Sequence, residues 1–288
     1  MSSLGIIQGR LSPYTGGKIQ AFPKKTWESE FHIAKKLGLS AIELCLDSDE
    51  WTKNPIWSVE GTNRIKDLSE KTGIKAISLD PLYLPERGLI SNTKEISEER
   101  NTIMKTVIPN CKKLGMDYIL MPVMIGPSIE LSAELRSKKN RPSILKFLNK
   151  SLEIARDYEM KFALETSLNA QETIELLETL DSDLIVVCYD TGNAAFFRHD
   201  ILSDINKLSK YLVEVHIKDH KNTDESGNKI INYNSVKLGT GDVDFNSVFN
   251  ILKKNKFNGS YILQMARDED HIDIAKYSID FVNQFIFK

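Results

Sequence analysis

The chain has 288 residues, 41% of them hydrophobic, and a formal net charge of −2 at pH 7. That length suits one parallel α/β barrel of about 250 residues with insertions, and the balanced charge offers no basic field for a phosphate backbone, which argues against nucleic acid as a partner. Cys45, Cys111 and Cys188 are far apart, and no apolar run approaches the roughly 18 residues of a membrane span, so reduced thiols in a soluble, cytoplasmic, unprocessed protein are expected.

Strand-like apolar runs fall at Leu4–Gln8, Ser40–Leu46, Lys75–Leu79, Asp117–Val123, Lys161–Glu165, Leu184–Tyr189, Tyr211–Ile217 and Ser260–Leu263. Between them lie stretches of helical period, such as Trp27, Phe31, Ala34 and Leu37, or Ile144, Leu148, Leu152 and Ala155. Links from helix to strand are short, and Gly38, Gly73, Gly115 and Gly259 stand where left-handed helix ends are wanted. Links from strand to helix are long: Gly9–Thr26, Asp47–Val59, Asp80–Ser97, Met124–Asn140, Thr191–Asp200 and Asp219–Asp242. This asymmetry predicts a (β/α)8 barrel over residues 1–288 as a single domain, with its working loops at the carboxyl ends of the strands. A doubly wound sheet would carry a glycine-rich phosphate turn after its first strand, and Gly9-Arg10-Leu11 is not one.

Four of the runs end in a polar group: Glu165, Asp190, His216 and Gln264. The first three lie about one βα unit apart, so neighbouring strands would bring them together. Each alone reads as a helix cap or a satisfied core side chain. Together, two carboxylates and an imidazole at the ends of buried strands carry a desolvation cost that a shared cation relieves. An oxygen and nitrogen set of this kind suits one Mn²⁺, Mg²⁺, Co²⁺ or Zn²⁺.

The segments Gly5-Ile6-Ile7-Gln8-Gly9-Arg10-Leu11, Ala41-Ile42-Glu43-Leu44, Ala163-Leu164-Glu165, Tyr189-Asp190-Thr191-Gly192-Asn193, Val215-His216-Ile217-Lys218-Asp219 and Leu238-Gly239-Thr240-Gly241-Asp242 follow one another in an order that resembles the xylose isomerase-like barrel superfamily of sugar isomerases and epimerases, related in fold to the zinc AP endonucleases. The resemblance spans the chain and implies one divalent metal held by Glu165, Asp190 and His216, with a fourth ligand, Gln264, from the last strand. It also implies that the metal grips adjacent oxygens of a keto sugar or sugar phosphate. An endonuclease would want more histidines than the five present and a basic groove.

The chain departs from that pattern at Gln264, where such enzymes usually have a glutamate that both ligates and moves a proton. An amide oxygen still binds a hard cation, but it has no proton to exchange at neutral pH. Glu165 is then the leading base, and Asp219, Glu43 and Glu269 are candidates for the missing acid. Isomerisation through an enediolate runs with one base, as does loss of water from a keto polyol. The remaining alternative is a carbohydrate-binding barrel without catalysis.

Gln8, Arg10, Lys218 and Arg267 are expected at the same mouth, where a guanidinium suits an anionic or hydroxylated end of the substrate. Glu43, a carboxylate within an apolar strand, is expected near the substrate or paired with Arg10. Tyr14, Phe22, Trp51 and Trp57 in the long loops would stack on a sugar ring, pack, or close a homo-oligomer contact. His199 and His220 are candidates to support the site from behind, although a loop histidine more often has no special role.

Overall fold

The computed structural model describes residues 3–14, 20–87, 93–123, 141–224, 226, 228–230, 235–267 and 270–286. Its main strands are β1 (Ser3–Ile7), β2 (Ala41–Cys45), β3 (Lys75–Asp80), β4 (Tyr118–Val123), β5 (Lys161–Thr166), β6 (Ile185–Asp190), β7 (Leu212–Ile217) and, after a short ribbon of β8 (Asp219–His220) with β9 (Ser235–Val236), β10 (Ser260–Leu263). The hydrogen-bonded order is β3-β2-β1-β10-β7-β6-β5-β4, every neighbouring pair is parallel, and β3 and β4 lie side by side to close the ring. This is the (β/α)8 barrel expected from the alternating runs.

Helices cover the outside because each offers one apolar stripe. On α1 (Trp27–Lys36) Phe31 and Ala34 are buried, and on α2 (Val59–Thr72) Ile65 and Leu68 are. Between Arg141 and Arg156 the stripe Ile144, Leu148, Leu152 and Ala155 is buried as its spacing predicts. Gly38, Gly73 and Gly115 take positive φ, but Gly259 does not. The left-handed residue there is Lys256, and Gly259 is required for a different reason: a Cβ would fall 2.1 Å from the carbonyl oxygen of Val213.

The long loops hold more structure than their composition suggests. Short helices occupy Tyr83–Arg87 and Thr191–Phe196, and single 3-10 turns occupy Trp51–Lys53 and Pro55–Trp57. In the last of these loops both Asp219 carboxylate oxygens are consumed by backbone. Oδ2 accepts from the N–H groups of Gly239 and Gly241 (2.9 and 2.8 Å), and Oδ1 from those of His220 and Val243 (2.9 and 3.3 Å). A Cβ on Gly241 would lie 2.2 Å from Oδ1, so the glycine lets the backbone come that close. The Gly-Thr-Gly run is therefore a clamp for its own loop. The loop expected at 124–140, and Glu269, lie outside the described residues. Among the described residues no helix is long and apolar enough to cross a membrane, and the three cysteines are buried and free.

The turn after β1 is tied down from α1. Glu30, 1% exposed, accepts from the backbone N–H of Gly9 (2.9 Å) and of Leu11 (3.0 Å) and from the Ser12 hydroxyl (2.8 Å). Replacing Glu30 by Leu removes the acceptor of the Gly9 and Leu11 N–H groups and of the Ser12 hydroxyl at once. The expected loss is about 2 kcal/mol of unfolding free energy, read in thermal unfolding as a fall of several degrees in Tm.

Candidate active site

Side chains alternate along a strand, so residues two apart share a face. On β7 the interior face carries Glu214 and His216, continued by Lys218. On β6 it carries Cys188 and Asp190, on β3 Ser78 and Asp80, and on β5 Glu165. The pairings Cys188 with Glu214, Asp190 with His216, Glu43 with Ser78 and Cys45 with Asp80 set these residues in two levels. The lower level holds Glu43, Ser78, Cys188 and Glu214. The upper level, towards the carboxyl ends of the strands, holds Asp80, Glu165, Asp190 and His216, with Lys218 and Gln264 beyond.

His216, with no exposed surface, joins the two levels. Its Nε2 lies 3.1 Å from both Glu214 Oε1 and Glu43 Oε1. Its Nδ1 points the other way, 3.8 Å from Glu165 Oε1 and 3.9 Å from Asp190 Oδ2, and makes no hydrogen bond. Carboxylates on the Nε2 side put the proton there and leave Nδ1 as a lone-pair donor once a cation is present. Asp190 is divided in the same way. Oδ1 accepts from the Asn193 N–H (2.7 Å) and caps the short helix after β6, while Oδ2 has no hydrogen bond, with the Lys218 ammonium 3.6 Å away. Glu165 Oε1 accepts from Asn193 Nδ2 at 2.9 Å. Ligand atoms of Glu165, Asp190 and His216 lie within 4.8 Å of one another. Two buried ligand atoms without a hydrogen-bond partner, His216 Nδ1 and Asp190 Oδ2, facing one another beside Glu165, are what a divalent cation satisfies, so the donor set fits the expected metal.

Electrostatics follow from burial. Glu165 is pushed up to about 7, chiefly by desolvation, with the Asp190 charge adding to this against His216 and Lys218. Asp80 is pushed up to about 8 by burial and by the Glu165 charge. Below them, burial and the neighbouring Glu214 raise Glu43 well above the usual carboxylate range. Burial opposes the charge of Glu214 too, but hydrogen bonds from His216 and from Tyr118 hold its pKa low. The Tyr118 hydroxyl donates to Glu214 Oε2 at 2.6 Å, and the Ser78 hydroxyl stands 2.7 Å from Glu43 Oε2 and 3.2 Å from Glu214 Oε2. Glu43 is thus pushed towards its neutral form and Glu214 towards its charged one.

Of the expected site residues, the structure brings Glu165, Asp190, His216, Lys218 and Gln264 together. Gln264 is bound to a neighbour: its Oε1 accepts from Lys218 Nζ at 3.0 Å, placing an ammonium between the last strand and Asp190. Glu43 lies beneath His216 rather than at the mouth, with no exposed surface, because the register with Ser78 sets it one level lower. Gln8 reaches sideways to the Cys45 N–H (3.1 Å), and Arg10 is 2% exposed. Arg267 belongs to the first loop, donating to the Ser12 carbonyl (3.2 Å) and lying 5.4 Å from the Tyr14 ring. Trp51 packs edge-on against Trp57 (4.4 Å) and Tyr83 (5.8 Å), and Phe22 is buried. His199 faces Asp204 (3.5 Å) and His220 the Phe196 ring (5.1 Å), both away from the cluster. Asp80, Asn193, Glu214, Tyr118, Cys188 and Ser78 were not expected there. The alternation Glu214, His216, Lys218 was the readable signal for one of them.

A protein-family model described as xylose isomerase-like TIM barrel matches residues 31–285. The chain belongs to that family. An inosose dehydratase of Clostridium tetani is 30% identical over 153 residues, 47% of this chain and 50% of the relative, so the match spans half of that enzyme. L-ribulose-5-phosphate 3-epimerase UlaE of Escherichia coli is 22% identical over 259 residues, 87% of each chain. Among solved structures, the IOLI protein with a bound zinc atom superposes with a TM-score of 0.72 at 16% identity, covering 99% of this chain and 100% of that one, which bears on the fold. The relatives of this family member thus include sugar epimerases and a dehydratase.

The division of His216 sets a measurable expectation. Zn²⁺ or Mn²⁺ at 100 times its Kd should raise the unfolding free energy by about 2.7 kcal/mol, reversibly with a chelator. Glu214→Gln, which frees the ring to turn, should weaken that binding about 10- to 100-fold in a chelator-competition titration.

Proposed function

We propose that the protein is a divalent-metal-dependent isomerase or epimerase of a keto sugar or sugar phosphate, working by proton transfer next to a carbonyl. One observation carries the reading: the buried triad of Glu165, Asp190 and His216, whose Nδ1 and Oδ2 atoms lack donors and face one another at the carboxyl ends of β5, β6 and β7. The relatives named above support it, since one is an epimerase of a ketose phosphate and another is known with zinc.

Glu165, Asp190 and His216 would hold the metal, and Gln264 would join them once Lys218 gives up its amide oxygen. Bound there, the ion would polarise the substrate carbonyl and stabilise the charge of an enediolate. Glu165 takes the proton from the carbon beside that carbonyl. Asn193 steadies the Oε1 that faces His216 through a 2.9 Å bond. Lys218, freed from Gln264, presents a cation to a substrate oxygen or phosphate.

Loss of water from a keto polyol is the second reading. It is favoured by the 30% identity to an inosose dehydratase over half the chain and by Gln264, which leaves one secured base on the metal side.

Solvent exchange tests the function. Metal-loaded protein in heavy water with L-ribulose 5-phosphate, D-tagatose, D-allulose or an inosose should put deuterium on the carbon beside the carbonyl, detected by mass spectrometry. Glu165→Gln and chelation should each cut uptake by about 100-fold or more. No uptake with any of these, alongside stoichiometric metal, would replace the enzyme by a binding-only barrel.

A further inference from the structure

Inversion at carbon needs a proton taken from one face and another given at the opposite face, and Gln264 can do neither. Three carboxyl groups were expected as substitutes. Asp219 is spent on four backbone N–H groups, Glu43 lies below His216, and Glu269 is outside the described residues. Asp80 is a fourth. It closes β3, two residues beyond Ser78, whose hydroxyl stands in the barrel interior between Glu43 and Glu214. The period of the strand therefore turns Asp80 into the same interior one level higher, at the level of the metal-ligand triad.

Around the ring, β3 is opposite β7 and two strands from β5, with β4 between. Asp80 thus approaches the barrel centre from the wall facing His216, at a quarter-turn from Glu165. It is 1% exposed and its Oδ1 has no hydrogen-bond partner. A buried carboxyl oxygen with no donor, aimed into a site, is a strain unless a ligand meets it. The remaining polar groups of the upper level are bound to one another or face the metal position, whereas Asp80 is committed to neither.

Resting on the sugar reading above, we infer that Asp80 is the second proton-transfer residue, giving a proton to the enediolate carbon on the face turned away from Glu165. The balance is simple. Glu165 breaks the C–H bond and becomes a carboxylic acid, leaving the electron pair in the enediolate. Asp80, carrying a proton, forms the new C–H bond and becomes a carboxylate. Exchange of both groups with solvent restores the starting state. Its burial, with no hydrogen-bond donor to Oδ1, favours the protonated form that this step needs. A barrel with glutamine at the end of its last strand thereby retains two acid-base groups.

The test separates proton removal from proton return. Metal-loaded wild type, Glu165→Gln, Asp80→Asn and Asp80→Glu are incubated in heavy water with the same four substrates, and deuterium uptake into recovered substrate is measured beside conversion to the inverted product. Asp80→Asn should keep uptake within about threefold of wild type while conversion falls about 100-fold, with metal stoichiometry unchanged. Asp80→Glu should recover part of the conversion. Asp80→Asn that converts like wild type overturns the proposal. So does a parallel loss of uptake and conversion in it, which is the mark of a merely structural role. No uptake by the wild type overturns the sugar reading itself and the role of Asp80 with it, an outcome distinct from either failure confined to Asp80.

Discussion

The site depends on the two nitrogens of His216 being used in opposite directions. A ring with no exposed surface and carboxyl groups on both sides cannot turn or shed its charge to water. The pair Glu214 and Glu43 fixes the Nε2 side at 3.1 Å from each, and that leaves Nδ1 aimed at Glu165 and Asp190. The bonds from Tyr118 and Ser78 exist to hold that pair. A histidine ligand oriented by buried carboxylates is better placed and more basic than one left to solvent. Here the orienting level is built from five strands, so the geometry is a property of the closed ring and not of one loop.

Negative charge is the second constraint. Glu43, Asp80, Glu165, Asp190 and Glu214 crowd around one imidazole and one ammonium in a water-poor interior. Neutralisation takes three forms. Burial pushes Glu43 and Asp80 towards neutrality, Glu214 spreads its charge over donors, and Glu165 with Asp190 present a cradle with Lys218 beside it. The same crowding that disfavours the empty cluster favours a cation and tunes the carboxyls towards neutrality, where acid-base chemistry operates.

Much of the architecture and the centre of the site could be read from residues. Strands buried on both faces read as continuous apolar runs, so the eight main strands stood out, and a polar group closing such a run is costly enough to be noticed at Glu165, Asp190 and His216. Glu214 inside its strand and Asp80 at the head of a long loop carry no such local signal, because their meaning depends on what faces them. The cost of Glu43 within its strand is legible, and it points to the substrate or to Arg10 as its neighbour. One level of register, which no local pattern encodes, put it under His216. Arg267, expected at the substrate mouth, donates to the Ser12 carbonyl of the first loop, a contact between residues at opposite ends of the chain.

By itself the sequence determined the alternation of strands and helices, the face on which long loops gather, and the three strand ends that carry ligand-type groups. Each of these is a property of neighbours along the chain: apolar period, turn chemistry and the spacing of one βα unit. The tertiary structure alone decided the orientation of His216, the depth of Glu43, the capture of Gln264 by Lys218 and the placing of Asp80 opposite β7. These are contacts between strands far apart in the chain. They exist only when the ring closes and the stagger between strands sets which residues share a level.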